Sequence, residues 1–220
     1  MRLLRFGQKF NWKYIVGEIL LIFVGISLAI WFNNWNNALT SGRNKKLAIS
    51  KIKEEINSNI GELAIAQENN QFITQAFTDY QQVYEKGTST VVTTPKKRNQ
   101  LNKKYPEFFR ATDSVGVEEG KFRYQGRTYI ELELPVLTQI AWETTRSINI
   151  TNEFDYYCLY DLESMYNLQQ RVQIEIDKAA NALQRGEMGE LMRILNFLEQ
   201  LGTQLMEDYQ TMLKEINNCD

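Results

Sequence analysis

The stretch YIVGEILLIFVGISLAIWF (residues 14–32) decides how the chain is organised. Its nineteen residues include one ionisable side chain, Glu18. As a helix rising about 1.5 Å per residue, the stretch would extend about 28 Å, close to the roughly 30 Å thickness of a bilayer's hydrocarbon core. The sequence therefore predicts a transmembrane helix over residues 14–32.

Two other interpretations of this stretch fit the sequence less well. A helix buried in a soluble core usually carries polar residues along one face, and this one does not. A cleaved signal peptide needs small residues at its cleavage site, and the residues from Trp31 to Trp35 offer none. The two tryptophans suit the aromatic belt at a membrane interface instead, so we expect an anchor that is not removed.

Basic residues lie on both sides of the predicted span. Residues 1–13 carry four of them and no acid. Five more follow between Arg43 and Lys53, but they begin about ten residues past the span. A long domain crosses the membrane largely regardless of its charge. We therefore expect residues 1–13 to be a basic cytoplasmic leader and residues 33–220 to lie on the opposite side of the membrane.

Two segments carry a resemblance to a known family. The block GEILLIFVGISLAIWFNNWN (residues 17–36), after its basic leader, resembles the anchor of an uncharacterised single-pass membrane-protein family of Bacteroidota-type bacteria. The stretch LTQIAWETTRSINI (residues 137–150) resembles that family's second segment, with Ser147-Ile148 where the family would have a Ser-Gly turn. The resemblance implies an inner-membrane protein with a periplasmic helical domain, and it implies no catalytic residue.

The composition excludes several kinds of site. The chain has 220 residues, a net charge of −2 and no histidine, which excludes Ser-His and Cys-His catalysis and any metal site with a histidine ligand. It has no glycine motif for nucleotide binding. Glu131 and Glu133 would share one side of a strand, an arrangement that acid–base catalysis can use but that is more typical of an exposed charged face. We expect no cofactor, no metal and no catalytic residue, and hence no enzymatic activity.

The two cysteines, Cys158 and Cys219, match no metal-binding motif. We interpret Cys158, which lies among aromatic residues, as a buried thiol. The alternative is a bridge to Cys219, which requires the last two helices to run antiparallel.

All three prolines fall between residues 88 and 136, so the regions on either side can form long helices. Apolar residues recur at heptad-like spacing over residues 38–86, and Gly87 is expected to end that helix. A second helix is expected to begin at Asn152, and a third repeats apolar residues at heptad spacing towards the C-terminus. These patterns predict a mainly α-helical protein, in which an antiparallel helical bundle follows the transmembrane helix.

The middle of the chain has a different pattern. Residues 88–134 are expected to form a mixed insertion in the bundle. Within them KFRYQGRTYIELEL (residues 121–134) predicts a small β-hairpin that turns at Gln125-Gly126. Pro135 is expected to begin a helix that runs to about Arg146.

Three groups of side chains are candidate sites. Five basic residues within nine could bind an anion or an acidic partner, or lie in a solvated loop. Three aromatic residues could line a ligand pocket between helices, or belong to the core. A carboxylate and two small residues share a face of the span and could contact another transmembrane helix, unless the carboxylate reaches back to the interface. In that order the groups are Lys96, Lys97, Arg98, Lys103 and Lys104; Trp142, Tyr156 and Tyr160; and Glu18, Gly25 and Ala29.

These features predict a membrane-anchored helical protein that serves as an interaction or scaffold module. Its partners would be the lipid bilayer and either a second copy of the chain or another membrane protein, with no nucleic acid. The alternative is a periplasmic bundle that senses a ligand. Because the leader of about 13 residues cannot hold an output domain, such a sensor would act through a partner.

Overall fold

One helix, α1 (Trp12–Gln81), carries the apolar stretch and continues into the rest of the structure. The computed structural model describes residues 12–85, 90–117 and 120–219. Residues 1–11 of the predicted leader (residues 1–13) lie outside them, and its last two residues belong to α1. Among the described residues α1 is the one helix long and apolar enough to cross a membrane. Its most apolar window has a mean hydropathy of 2.4 and no buried residue, whereas the core helix of a soluble protein would be mostly buried.

The folded domain begins some distance beyond the apolar stretch. Ala48 is the first buried residue of α1. It follows Trp35 by 13 residues, which is about 20 Å along the helix axis. The intervening helix, residues 36–47, is mostly exposed. We call it the neck, and it joins the apolar stretch to the domain without a break in the helix.

The other elements follow α1 in chain order. Three short strands and two short α-helices come first, and two long helices follow them. They are β1 (Thr90–Thr93), α2 (Pro95–Lys104), β2 (Phe109–Gly116), β3 (Phe122–Thr128), α3 (Ile140–Ser147), a 3₁₀ helix (Ile150–Glu153), α4 (Tyr156–Arg185), α5 (Met188–Glu215) and a last 3₁₀ helix (Ile216–Asn218).

A tight turn joins α4 to α5. Gly186 adopts a left-handed conformation with φ of 70°, which suits glycine, and its N–H donates to the carbonyls of Ala182 and Leu183 to end α4. At the other end of α4, the side chain of Asp155 caps the first turn. The prediction that this helix begins at Asn152 is wrong, because Asn152 lies in the preceding 3₁₀ helix.

The second half of α1 packs with α4 and α5 around one apolar core, and we call these three helices the body. Ile52, Ile56, Leu162 and Leu205 are all fully buried in it. Along this core α1 and α4 run in the same direction, and α5 runs in the opposite one. Gly202 of α5 lies against α1: a Cβ atom at this position would lie 2.6 Å from the flexible side-chain amide of Gln67 and 3.5 Å from Leu63.

The heptad spacing of the last helix correctly predicts its inward face. Apolar residues at these positions face the core, and Met192 and Leu195 beside them are buried as well, so the apolar face of this amphipathic helix is wider than a strict heptad stripe. The buried positions are Leu191, Ile194, Leu201, Leu205, Met212 and Ile216, and Leu198 is half-buried.

A small α+β unit caps the far end of α1. We call the segment 82–128 the tip, and the structure describes it over residues 82–85, 90–117 and 120–128. Its three strands form an antiparallel sheet in the order β1-β3-β2, with α2 packed against it. Tyr80 at the end of α1 is buried among Leu101, Phe108 and Tyr124 in a second apolar core. The tip therefore has a core of its own, built partly from the last turns of α1.

The predicted hairpin turn at Gln125-Gly126 is wrong. Both residues lie inside β3, where Gly126 pairs with Ala111 of β2 next to an irregularity in the pairing. A Cβ atom at Gly126 would lie 2.7 Å from the ring of Phe109. Glycine is needed here because the ring of Phe109 packs directly on the backbone at a β-bulge, and not because the chain turns.

Two other predicted boundaries differ from the structure. Helix α1 ends at Gln81, so it stops before Gly87, which lies outside the described residues. The helix predicted to begin at Pro135 begins at Ile140. Residues 129–139 belong to no helix or strand. We call them the strap, because they run back along α1 from the tip to α3.

Candidate functional site

The strap is fastened to α1 by two asparagine side chains. Asn70 donates to the carbonyl of Glu133 at 2.8 Å and accepts from its N–H at 3.0 Å. Asn59 makes the same pair of bonds to Thr138, at 2.8 and 2.9 Å. Each asparagine thus replaces the hydrogen bonds that a neighbouring strand would supply to the strap.

The spacing of the two asparagines matches the geometry of the strap. They are 11 residues apart on α1, which is a rise of about 16.5 Å. Glu133 and Thr138 are five residues apart on an extended chain, which is also about 16.5 Å at roughly 3.3 Å per residue. Eleven residues also bring both side chains to within about 20° of one another around the helix. The strap can therefore run along α1 and meet both asparagines.

Glu55 lies at the end of the strap and caps α3. Its carboxylate accepts from the backbone N–H groups of Ala141 at 2.8 Å and Trp142 at 3.4 Å, in the first turn of that helix. The hydroxyl of Tyr166 donates to it at 2.7 Å. Glu55 is 8% exposed, so its charge is held by these donors and by the N-terminus of the helix rather than by water.

Gln169 connects this cluster to α5. Its side-chain amide donates to the carbonyl of Thr138 at 2.9 Å, and its oxygen accepts from the hydroxyl of Tyr209 at 2.8 Å. Burial raises the pKa of Tyr166 far above its ordinary value, and the charge of Glu55 raises it further. Burial also raises the pKa of Tyr209. Both phenols therefore stay protonated and remain donors.

We call Glu55, Asn59, Tyr166, Gln169 and Tyr209 the polar network. It joins α1, the strap, α4 and α5 inside the body. Its donors and acceptors are satisfied by one another, and the one buried side-chain polar atom without a partner among the described residues is the Nε of Arg98, in the tip. The network therefore positions the strap against α1, α4 and α5.

The sequence contains a signal for this network. Asn59 and Asn70 are the two gaps in the apolar pattern of residues 38–86. A polar residue on an apolar helix face needs a hydrogen-bonding partner when buried. Two such residues three turns apart on one helix face indicate that another segment of the chain runs along the helix and pairs with both of them.

The carboxylates considered for catalysis line an open groove beside the strap. Glu131 and Glu133 are exposed there, and the groove, of about 790 Å³, also contains Glu68 and Glu107. Over the residues that the structure describes, no three side chains come together as metal ligands. In this groove Glu107 forms an ion pair with Arg110, and the other three carboxylates are exposed.

The predicted aromatic pocket is wrong, because the structure does not bring its three residues together. Trp142 is 2% exposed and stacks on Tyr166, with the ring centres 5.4 Å apart. Tyr156 and Tyr160 are 72% and 63% exposed at the start of α4. Trp142 therefore belongs to the core, and the two tyrosines belong to the surface nearest the neck.

The basic residues lie on α2, a regular helix rather than a loop. Thr94 caps it and Pro95 begins it. Lys104 forms an ion pair with Asp79 at 2.9 Å, and its hydrogen bonds with Asp79 and Tyr105 raise the pKa of Lys104. Arg98 lies 4.4 Å from the centre of the Tyr124 ring. The patch is thus carried by a helix that packs on the tip's sheet.

The remaining candidate residues lie in α1. Glu18, Gly25 and Ala29 are exposed on the apolar stretch, and a Cβ atom at Gly25 would meet nothing within 4 Å. The structure therefore leaves this face open to another helix.

Cys158 and Cys219 are joined by a disulfide bond, with their Cα atoms 5.4 Å apart. The interpretation of Cys158 as a free buried thiol is therefore wrong. The antiparallel course of α4 and α5 brings the start of one helix next to the end of the other, which permits the bridge.

Comparison of the chain with protein-family models, with curated proteins and with solved structures finds no match.

Proposed function

We propose that the protein is a single-pass inner-membrane protein whose periplasmic domain is an interaction or scaffold module. The observation that carries the proposal is the continuity of α1, which runs from the anchor through the neck into the core of the tip. Tyr80 follows Trp35 by 45 residues, which is about 68 Å along the axis. A continuous helix holds the tip at a set distance from the membrane, as a scaffold requires and a flexible linker would not allow.

The disulfide supports the proposed side of the membrane. Such bonds persist in the periplasm and outside cells, and are rare in the reducing cytosol. Cys158 and Cys219 both lie in the part of the chain that we place in the periplasm. The resemblance of residues 17–36 and 137–150 to a bacterial inner-membrane family agrees with the periplasmic location that we propose.

The orientation can be tested by cysteine labelling. We expect Lys97→Cys to react with a membrane-impermeant maleimide on intact spheroplasts, because Lys97 is exposed on the tip. The native cysteines, being bonded, should not react. The control is Lys9→Cys in the leader, which should react after lysis and not before. The reverse pattern for the two variants would place the domain in the cytoplasm.

The proposed partner within the membrane is a second copy of the chain or another transmembrane helix. Glu18 and Gly25 are seven residues apart, so they lie within about 20° of each other around the helix. Gly25 and Ala29 add a pair of small residues four apart, which allows close packing. An intramembrane carboxylate usually contacts a protein partner rather than lipid.

Cross-linking in native membranes tests this contact. We expect Glu18→Leu to lower the cross-linking yield several-fold, because it removes the hydrogen-bonding group and leaves insertion intact. Glu18→Gln, which keeps a hydrogen-bonding head, should lower it less. Leu20→Ala, on the opposite face of the helix, is the control and should have no effect. Equal yields in all four proteins would mean that α1 is an anchor without a partner.

One observation favours the ligand-sensing alternative. A groove of about 490 Å³ lies between α1 and α3, and Leu47, Ile140 and Ile148 contribute exposed apolar side chains to it. Glu55 and Thr138 also line this groove, so a bound molecule would contact the polar network and the strap. Binding there could be transmitted to the tip, although Tyr156 and Tyr160 would take no part.

A further inference from the structure

The tip differs in charge from the rest of the domain. Residues 82–128 contain ten basic and five acidic residues, a net charge of +5. Residues 33–81 and 129–220 together contain 11 basic and 21 acidic residues, a net charge of −10. The basic excess is therefore concentrated at the end of the protein farthest from the anchor.

Four lysines cover one face of α2. At 100° per residue, Lys96, Lys97, Lys103 and Lys104 fall within an arc of about 120°, and all four are exposed. They form two rows, because each lysine has another seven residues along, about 10.5 Å away on the axis. Of these four lysines only Lys104 forms an ion pair within the described residues, and its partner is Asp79.

The position of two of these lysines is unfavourable for the helix itself. Lys96 and Lys97 lie in the first turn of α2, which contains no acid. The N-terminus of a helix carries a partial positive charge, so basic residues there are repelled. Arg98 adds a further charge beside them, held over the ring of Tyr124. A bound anion would relieve this repulsion.

Several anionic partners can be set aside. The anchor's own bilayer is about 68 Å away along α1, many times the screening length of about 8 Å at physiological salt. A second copy in the same membrane would hold its own tip at the same height, so that two tips of charge +5 would meet. Neither the membrane nor a neighbouring copy therefore fits the face.

The side chains of the face favour a polymer over a folded protein. Beside the lysines it presents Asn99 and Gln100. Interfaces between proteins are depleted in lysine and enriched in aromatic residues and arginine. Flexible lysines in rows instead attract a chain of regularly spaced charges through counterion release, without stereospecific contacts.

We propose that the lysine face of α2 binds a linear anionic polymer, with phosphate or carboxylate groups along its length. The inference deepens the proposed scaffold function and rests on it for the location of the polymer in the periplasm. The binding itself can be measured on the purified protein, whichever way the protein is oriented in the cell.

The experiment uses the full-length protein in nanodiscs of neutral lipid. Fluorescent polyphosphate and alginate are titrated at several salt concentrations, with neutral dextran as a blank. We expect at least one of the two polyanions to bind, with an affinity that falls steeply as salt rises. Binding of polyphosphate alone would assign a phosphate polymer, and binding of alginate alone a carboxylate polymer.

The test variant is Lys96→Gln/Lys97→Gln/Lys103→Gln, which spares the ion pair of Lys104. It should weaken binding about tenfold or more at low salt and flatten the salt dependence. The control, Lys46→Gln/Arg171→Gln/Lys214→Gln, removes the same charge from exposed positions outside the tip and should change affinity less than about twofold. Circular dichroism checks folding, and Lys96→Gln/Lys103→Gln replaces the triple variant if that variant does not fold.

Two results would overturn the inference. One is the absence of binding of either polyanion to the unmodified protein at low salt. The other is an equal loss of affinity in the test and control variants, which would mean that total charge rather than α2 attracts the polymer. A failure of the proposed periplasmic location would give a different result. The polymer would still bind to α2, but the labelling of Lys97→Cys would place the domain in the cytoplasm.

Discussion

Replacing Glu55 with alanine is expected to lower the free energy of unfolding of the body by about 3–5 kcal/mol. The N–H groups of Ala141 and Trp142 and the hydroxyl of Tyr166 donate to this carboxylate. All three donors would lose their acceptor inside the protein, and each unsatisfied buried donor costs about 1–3 kcal/mol. Helix α3 would also lose its cap, since Gln139 makes no side-chain capping bond.

Urea denaturation of the full-length protein in detergent measures this effect. Trp142 reports on the body, because the other three tryptophans lie at residues 12, 31 and 35. Glu54→Ala is the matched control, because Glu54 is exposed and pairs with Lys51 within one turn of the helix. The urea midpoint of this variant should barely differ from that of the unmodified protein. Glu55→Gln should fall between the two, since an amide can accept some of the bonds. Equal midpoints for Glu54→Ala and Glu55→Ala would contradict the assignment of Glu55 as a buried cap.

The elements that the sequence predicts well are those with long, regular patterns. The long exposed apolar helix follows from an apolar run with a single charged residue, and the inward face of α5 follows from heptad spacing that continues to Ile216 just beyond it. Both depend on the local sequence alone. The sequence did not predict that the anchor and the first helix of the domain are a single helix, because the polar neck hides the continuity.

The elements that it predicts poorly depend on distant residues. Gly126 has the local pattern of a turn, yet the ring of Phe109 from another strand determines its role. Residues after Pro135 have the pattern of a helix start, but the chain does not become helical until Ile140. Asn59 and Asn70 supply hydrogen bonds to the strap from another part of the chain, and Glu55 caps α3 where the strap ends. Such contacts between distant segments outweigh local propensity.

The strap connects the polar network in the body to the tip, which carries the proposed polymer site. The strap joins β3 of the tip to α3 of the body, so the tip is held to the body by α1 on one side and by the strap on the other. Asn70 fastens the strap near the tip, and Glu55 and Asn59 fasten it near α3. Two attachments restrain the orientation of α2 more than one helix would.

Removing the disulfide, by Cys158→Ser with Cys219→Ser, should lower the free energy of unfolding by about 4 kcal/mol. The bond closes a loop with a sequence separation of 61 residues, which contains nearly all of α4 and α5. Without the bond the unfolded chain gains the conformational freedom of that loop, and the folded chain keeps its other contacts. Serine differs little in size from cysteine, so the packing around these positions should change little.

The same urea denaturation, with and without a reducing agent, separates the bond from the substitution. Without reductant the unmodified protein should unfold at a distinctly higher urea concentration than the double variant. With reductant it should fall to the value of the double variant, which should not respond. Because disulfides persist only in oxidising compartments, a protein isolated from its native membrane with this bond intact would support a periplasmic domain. Identical midpoints for both proteins without reductant would mean that Cys158 and Cys219 are not bonded in the native protein, and the argument from redox compartment would no longer support that location.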